Sequence, residues 1–398
     1  MRPCLFTPSY CCILAANFLL YFSFWLLIPL LPFYLLEVYH LSKSEIGIIL
    51  SLYTISALVV RPFSGYLLDS FSRKPLYILS YLLFTMVFLG YNIGGTLFFF
   101  IVLRVAHGLT FGTVTVGGNT IVIDIMPSER RGEGLGYYGL TNNIALSIGP
   151  MVGLLLHETF SYEYIFTIGF LACFIGLILA LNVYVPYKQG IKTCQPISLD
   201  RFFLTKSLPA SIALILLSIP YGAVTNFVAL YIKEIELPVN SGLYFVLMAI
   251  GMGISRIFSG KYVDKGYITE CITYGLFLVI IAFLLLASCK WFVNFNSILA
   301  VYFFLVIPIF HGVGFGIIFP AYNTLYINLA QNNQRATATS SYLTSWDIGL
   351  GLGMLLSGII AQISNFSIVY LTGSILALIS TIYFILIVIP HFKANKLR

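Results

Sequence analysis

Runs of about twenty apolar residues recur along the whole chain, separated by short polar breaks. A run of that length satisfies its own backbone N–H and C=O groups in only one simple way, as a helix crossing a bilayer. The pattern predicts spans at about 10–37, 45–69, 75–93, 97–126, 134–157 and 162–186, then at about 207–233, 241–264, 269–289, 298–329, 337–362 and 367–390. Composition agrees, with 59% hydrophobic and 9% charged residues, where soluble domains carry about 45–50% and about 25%. Mean hydropathy is +0.96. The first run is too long for a signal-peptide core and lacks a small-residue cleavage site, so it reads as a retained first helix.

The chain also repeats itself. RPFSGYLLD at 61–69 returns as RIFSGKYVD at 256–264. His107, Gly108, Phe111, Gly112, Asn119 and Thr120 return as His311, Gly312, Phe315, Gly316, Asn323 and Thr324. The offsets, 195 and 204, are each near half the chain, which indicates a duplicated six-helix half rather than a short-period solenoid. In membrane transporters two such halves enclose a cavity near the midplane. The division expected is an N-terminal six-helix bundle over 1–186, a polar cytoplasmic linker over 187–206, and a C-terminal six-helix bundle with a short tail over 207–398.

The net charge of +7 is a topology signal. One set of loops holds Arg73, Lys74, Arg130, Arg131, Lys188, Lys192, Arg201, Lys206, Lys265 and Arg335, and both termini fall on that side. The opposite loops hold only Lys43, Lys233 and Lys290. Basic residues stay on the cytoplasmic side, so both termini are expected there. The seven cysteines have no paired metal-ligand spacing and sit mostly in apolar runs, so neither a disulfide framework nor a metal site is expected. No phosphate-cradling loop or nucleophile–base set is present, which argues against an enzyme, a cofactor and a nucleic-acid partner.

The loop after the second span runs GYLLDSFSRK. Gly65 and Asp69 lie one helical turn apart on one face, followed by the basic pair Arg73 and Lys74. This resembles the G-x-x-x-D-x-x-G-R-[RK] loop of the major facilitator superfamily, with Ser72 in place of the second glycine. The resemblance covers essentially the full length and points to the family's twelve-helix drug–proton antiporters. It implies an all-α polytopic membrane protein whose twelve transmembrane helices form two pseudosymmetric six-helix bundles. It also implies a cytoplasmic gate in which Gly65, Asp69, Arg73 and Lys74 act with Asp124, Arg73 pairing with that acid. The second copy keeps Gly260 and Asp264 but lacks the basic pair, which implies a weaker latch.

Other positions extend the resemblance. Arg104, in LRVAHGLTFG, is similar to the family's exporter arginine, and a charge inside a span costs roughly 2.5–3.5 kcal/mol on insertion scales. Its plain alternative is a fixed arginine that holds neighbouring helices. Gly136, Gly149, Pro150 and Gly153 resemble the glycine–proline motif of antiporters, with a simple packing kink as the alternative. Asp347 lies ten residues beyond Thr337, roughly 15 Å into the eleventh span. An acid there is a candidate carrier of a coupling proton, with Arg104 tuning it; a hydrogen-bonded structural carboxyl is the alternative. At the 204-residue offset its counterpart is Asn143. Asn17, Tyr21, Asn142, Asn143, Tyr221, Asn226, His311 and Asn323 are the remaining polar candidates for a substrate cavity, or else helix–helix hydrogen bonds.

The function expected is proton-coupled efflux of small organic molecules by alternating access. The partners expected are a small-molecule substrate, protons and the lipid bilayer, with the chain acting as a monomer. Short loops and compact length place it in a bacterial inner membrane. Uptake or facilitated diffusion of a sugar or metabolite fits the same scaffold, and a non-transporting membrane sensor fits it less well.

Overall fold

A computed structural model describes residues 5–70, 72–127, 130–185, 203–331 and 335–397, with a few side chains inside helices also left undescribed. The expected linker falls outside these residues, apart from its last positions near Leu204. Among the described residues there is no strand, and twelve helical spans are long and apolar enough to cross a membrane.

The first span is not one continuous helix. α1 (Pro8–Leu27) is followed by a turn and by α2 (Leu31–Glu37). Pro29 and Pro32 have no N–H to return to the carbonyls four residues earlier, so the helical ladder is interrupted where they stand. The later elements are α3 (Lys43–Ser70), α4 (Arg73–Ile93), α5 (Leu97–Ile125), α6 (Arg131–His157) and α7 (Tyr162–Leu181). After the linker come α8 (Leu208–Glu234), α9 (Gly242–Asp264), α10 (Ile268–Phe295), α11 (Ser297–Leu329), α12 (Arg335–Ile363) and α13 (Phe366–Tyr383). The last span continues through a π-helical turn (Phe384–Val388) into α14 (Ile389–Asn395).

The chain divides into two compact units, one of residues 1–39 and 52–195, the other of residues 40–51 and 196–398. In the first, α1 packs against α6 and α7, and α4 against α5 and α7. In the second, α8 packs against α12 and α13, and α11 against α9 and α10. Hydroxyls on one helix reach carbonyls of another, as transmembrane bundles require. Tyr81 donates to Ala16 O at 2.8 Å, Ser23 to Gly169 O at 2.9 Å, and Ser380 to Ala213 O at 2.7 Å. The first turn of α3, grouped with the second unit, is held by an ion pair from Lys43 to Glu234 and by Lys43 N donating to Gln362 Oε1 at 2.9 Å.

The repeated glycines explain themselves here. A Cβ at Gly108 would strike the Tyr53 carbonyl oxygen, and one at Gly112 would lie 2.9 Å from the Ala57 carbonyl oxygen. In the second unit Gly312 abuts the Met248 carbonyl, and Gly316 would place a Cβ 2.8 Å from Met252 Cα. Met248 and Met252 stand 195 positions beyond Tyr53 and Ala57. Each glycine pair lets two helix backbones touch, the same way in each unit.

Candidate functional site

Each unit carries its own cluster of polar and aromatic side chains. In the first, Arg104 is 0% exposed on α5, its guanidinium 5.0 Å from the centre of the Tyr53 ring and hydrogen-bonded to the Tyr91 phenol. Tyr91 also meets His107 Nδ1 at 3.2 Å. Phe84, Phe88, Tyr53 and Phe24 surround that imidazole, with ring centres 4.9–5.9 Å away. The charge is thus met by a π-face and a phenol in a site without water-facing surface. Tyr21 joins the edge of this cluster, its ring 5.7 Å from Phe111 and perpendicular to it.

The other polar candidates of this unit tie helices together. Asn17 Nδ2 donates to Tyr138 O at 3.1 Å and to Thr141 Oγ1 at 2.7 Å, joining α1 to α6. Asn142 accepts from Trp25 Nε1 at 2.9 Å across the same pair. Gly149 and Gly153 bring these helices close: a Cβ on Gly149 would lie 2.8 Å from Trp25 Cβ, and one on Gly153 would meet the Leu26 carbonyl. Pro150 is buried inside the uninterrupted α6, whereas Gly136 has no neighbour within 4 Å. Asn143 is half-buried.

At the end of the first unit Arg73 Nη1 donates to Asp124 Oδ2 at 2.7 Å, joining the start of α4 to the end of α5. The Asp124 side chain is only 4% exposed. Arg73 Nε also reaches Leu68 O at 3.3 Å, and Lys74 Nζ caps α7 through Leu181 O at 3.0 Å. Beyond their places on helix backbones, Gly65, Asp69 and Asp264 lie outside the described residues; Gly260 has open space around it.

The second unit has an aromatic wall built from three helices. Tyr221 on α8 lies 4.7 Å from Phe315, 5.7 Å from Phe319 and 4.9 Å from Trp346, ring centre to ring centre. Phe319 and Trp346 are 4.6 Å apart and perpendicular. Asp347 follows Trp346 directly, near the middle of α12, with Oδ2 buried. Tyr342, one turn earlier, lies within electrostatic reach of both Asp347 and Arg256. His311 is 0% exposed; Nδ1 meets the Tyr244 phenol at 2.5 Å, and its ring lies parallel to Phe315 at 6.1 Å. Asn226 Nδ2 donates to Gly222 O at 3.0 Å; Asn226 Oδ1 and Asn323 Oδ1 are buried without a hydrogen-bond partner among the described residues. Also among the described residues, no group of three or more His, Cys, Asp or Glu is arranged to hold a metal.

The profile of the Major Facilitator Superfamily matches residues 13–353. The chain belongs to the major facilitator superfamily. Among curated relatives, the quinolone resistance protein NorA of Staphylococcus aureus strain MSSA476 is 26% identical over 353 residues, covering 86% of this chain and 87% of NorA. The staphylopine export protein of Staphylococcus aureus strain Mu50 is 24% identical, covering 85% of this chain and 86% of its own. Two solved structures share the fold: the nucleoside transporter NupG, with a TM-score of 0.80 at 15% identity over 95% of this chain and 99% of that one, and a POT family transporter, with 0.82 at 14% identity over 96% of each. The chain is an integral membrane transporter of the major facilitator fold, not an enzyme.

Within that fold the sequence reading did not single out Arg256, Tyr342, Phe319, Trp346 or Tyr53 as site residues. Arg256 had a signal, since it opens the second copy of the repeated phrase. The aromatic residues had none: among 34 phenylalanines, 27 tyrosines and 3 tryptophans, only the packing of helices distant in the chain distinguishes them.

Proposed function

We propose that this major facilitator transporter exports small organic molecules in exchange for protons. It would act as a monomer by alternating access in a bacterial plasma membrane, with both termini in the cytoplasm. The observation that carries the reading is Asp347, a carboxyl in the middle of a membrane-spanning helix, directly beside an aromatic wall. A lone carboxyl within a span is a functional candidate, and its ability to take up and release a proton suits a proton exchanged against substrate. The direction is supported by the relatives, one a quinolone resistance protein and one a staphylopine export protein, at 24–26% identity. Arg104, caged by Tyr53 and Tyr91, would tune the exchange. The Arg73–Asp124 pair would latch the cytoplasmic side.

The test uses inside-out vesicles with an acidified lumen and a fluorescent pH reporter. Substrates that collapse the pH gradient with the native protein should have no effect with Asp347→Asn, while the variant keeps its thermal midpoint. Undiminished proton-coupled flux in that variant would remove Asp347 from the coupling role.

A further inference from the structure

Arg256 is a described cation within a span whose chemistry the reading above leaves unused. It stands on α9, seven residues before Val263, where the eighth span ends; at about 1.5 Å per residue that is roughly 10 Å along the helix. Its neighbours differ from those of the other basic groups. Arg104 is enclosed by Tyr53 and Tyr91, and Arg73 is paired with Asp124. Arg256 is half-buried, forms no ion pair among the described residues, and keeps its Nε buried with no hydrogen-bond acceptor among them. The Tyr221 and Tyr342 phenols lie within its electrostatic reach, one from α8 and one from α12.

Tyr221 is part of the aromatic wall, and Tyr342 stands one turn before Trp346 on α12, its ring 5.8 Å from Tyr326. Tyr221 touches Phe319 and Trp346, and Phe319, Trp346 and Tyr342 are each only half-buried. A flat ring laid on this wall gains offset or edge-to-face contact. A donor left without an acceptor in a buried site is costly, more so on a charged group. A planar carboxylate removes that cost with charge-assisted, two-point hydrogen bonds, which an ammonium or an alcohol cannot supply to a guanidinium. The rings themselves are neutral and favour any aromatic; the ionisable groups beside them are Arg256 and Asp347, and with Asp347 carrying its proton, as the exporter reading has it, the charge sign is chosen by Arg256.

We propose that Arg256 and the wall of Tyr221, Phe319, Tyr342 and Trp346 bind an aromatic compound through its carboxylate. The proposal names the substrate class of the exporter reading and rests on it for physiological meaning, but binding is measurable without transport.

The probes are 4-nitrobenzoate, 4-nitrobenzyl alcohol and 4-nitrobenzylammonium, titrated against the full-length protein in lipid nanodiscs by ligand-detected NMR. The carboxylate should bind at least tenfold tighter than the alcohol. Arg256→Gln should bring the carboxylate down to the alcohol's affinity and leave the alcohol unchanged, while Arg256→Lys keeps part of the preference. The unchanged alcohol shows that the variant's wall is still folded. Equal affinities in the native protein, tightest binding of the ammonium, or equal losses for all three probes in Arg256→Gln would each overturn the proposal. Loss of proton-coupled flux with probe discrimination intact would sink the exporter reading alone. Flux that survives with no preference for the carboxylate would sink this proposal alone.

Discussion

Arg73 and Asp124 show how little a residue's type says about its cost. The carboxylate is almost wholly buried and the guanidinium is partly open to solvent, so the two deletions are not equivalent. Arg73→Ala strands a buried charge, whereas Asp124→Asn leaves a neutral amide that still accepts a hydrogen bond. The alanine variant should therefore unfold at the lower temperature of the two. A double-mutant cycle on thermal stability should return a coupling of roughly 0.5–3 kcal/mol, the range for residues in contact. Additive effects would mean that the pair holds nothing. Asn17 and Asn142 teach a related lesson, since both amides are engaged in tying α1 to α6.

At the scale of the helix, close approach is decided by single hydrogen atoms. A methyl at Gly312 would run into the Met248 carbonyl, so α9 and α11 would have to separate. Overpacking of that kind costs typically about 1–3 kcal/mol. A methyl at Gly136 meets nothing within 4 Å, and alanine favours the helix over glycine by roughly 0.5–1 kcal/mol. Gly312→Ala should therefore lower the thermal midpoint in detergent, and Gly136→Ala should leave it level or raise it. Equal midpoints would contradict the packing of α9 on α11. Helix continuity follows local chemistry less tidily. Pro29 and Pro32 accompany a break between α1 and α2, while Pro150, Pro220, Pro308 and Pro320 sit inside helices that carry on.

For the whole molecule, the charge distribution makes a topology prediction that helix packing cannot make. In a cysteine-free background, a cysteine at Ser72 should react with a membrane-impermeant maleimide only after the cells are permeabilised. One at Asn296, between α10 and α11, should react in intact cells. The reverse pattern would put both termini outside. The duplication operates at this scale too. Glycines spaced 204 positions apart meet partners spaced 195 apart, so the repeat preserves a helix contact rather than a ligand.

The twelve spans and the membership of the family were legible from residues alone, because apolar length and a repeated motif are local properties that no partner is needed to express. Helix ends came within a few residues for most spans, since caps such as Thr96, Asn296 and Asn365 act on their own first turns. Asp347 stood out for the same reason, as a lone acid in an apolar run. Its surroundings did not. Whether Tyr221, Phe319 and Trp346 form a wall or face lipid depends on how α8, α11 and α12 rotate against one another, and burial of one apolar ring looks like any other in sequence. The arginines divide the same way: Arg104 is fully enclosed and Arg256 only half-buried because their neighbours come from helices distant in the chain, and only packing chooses those neighbours.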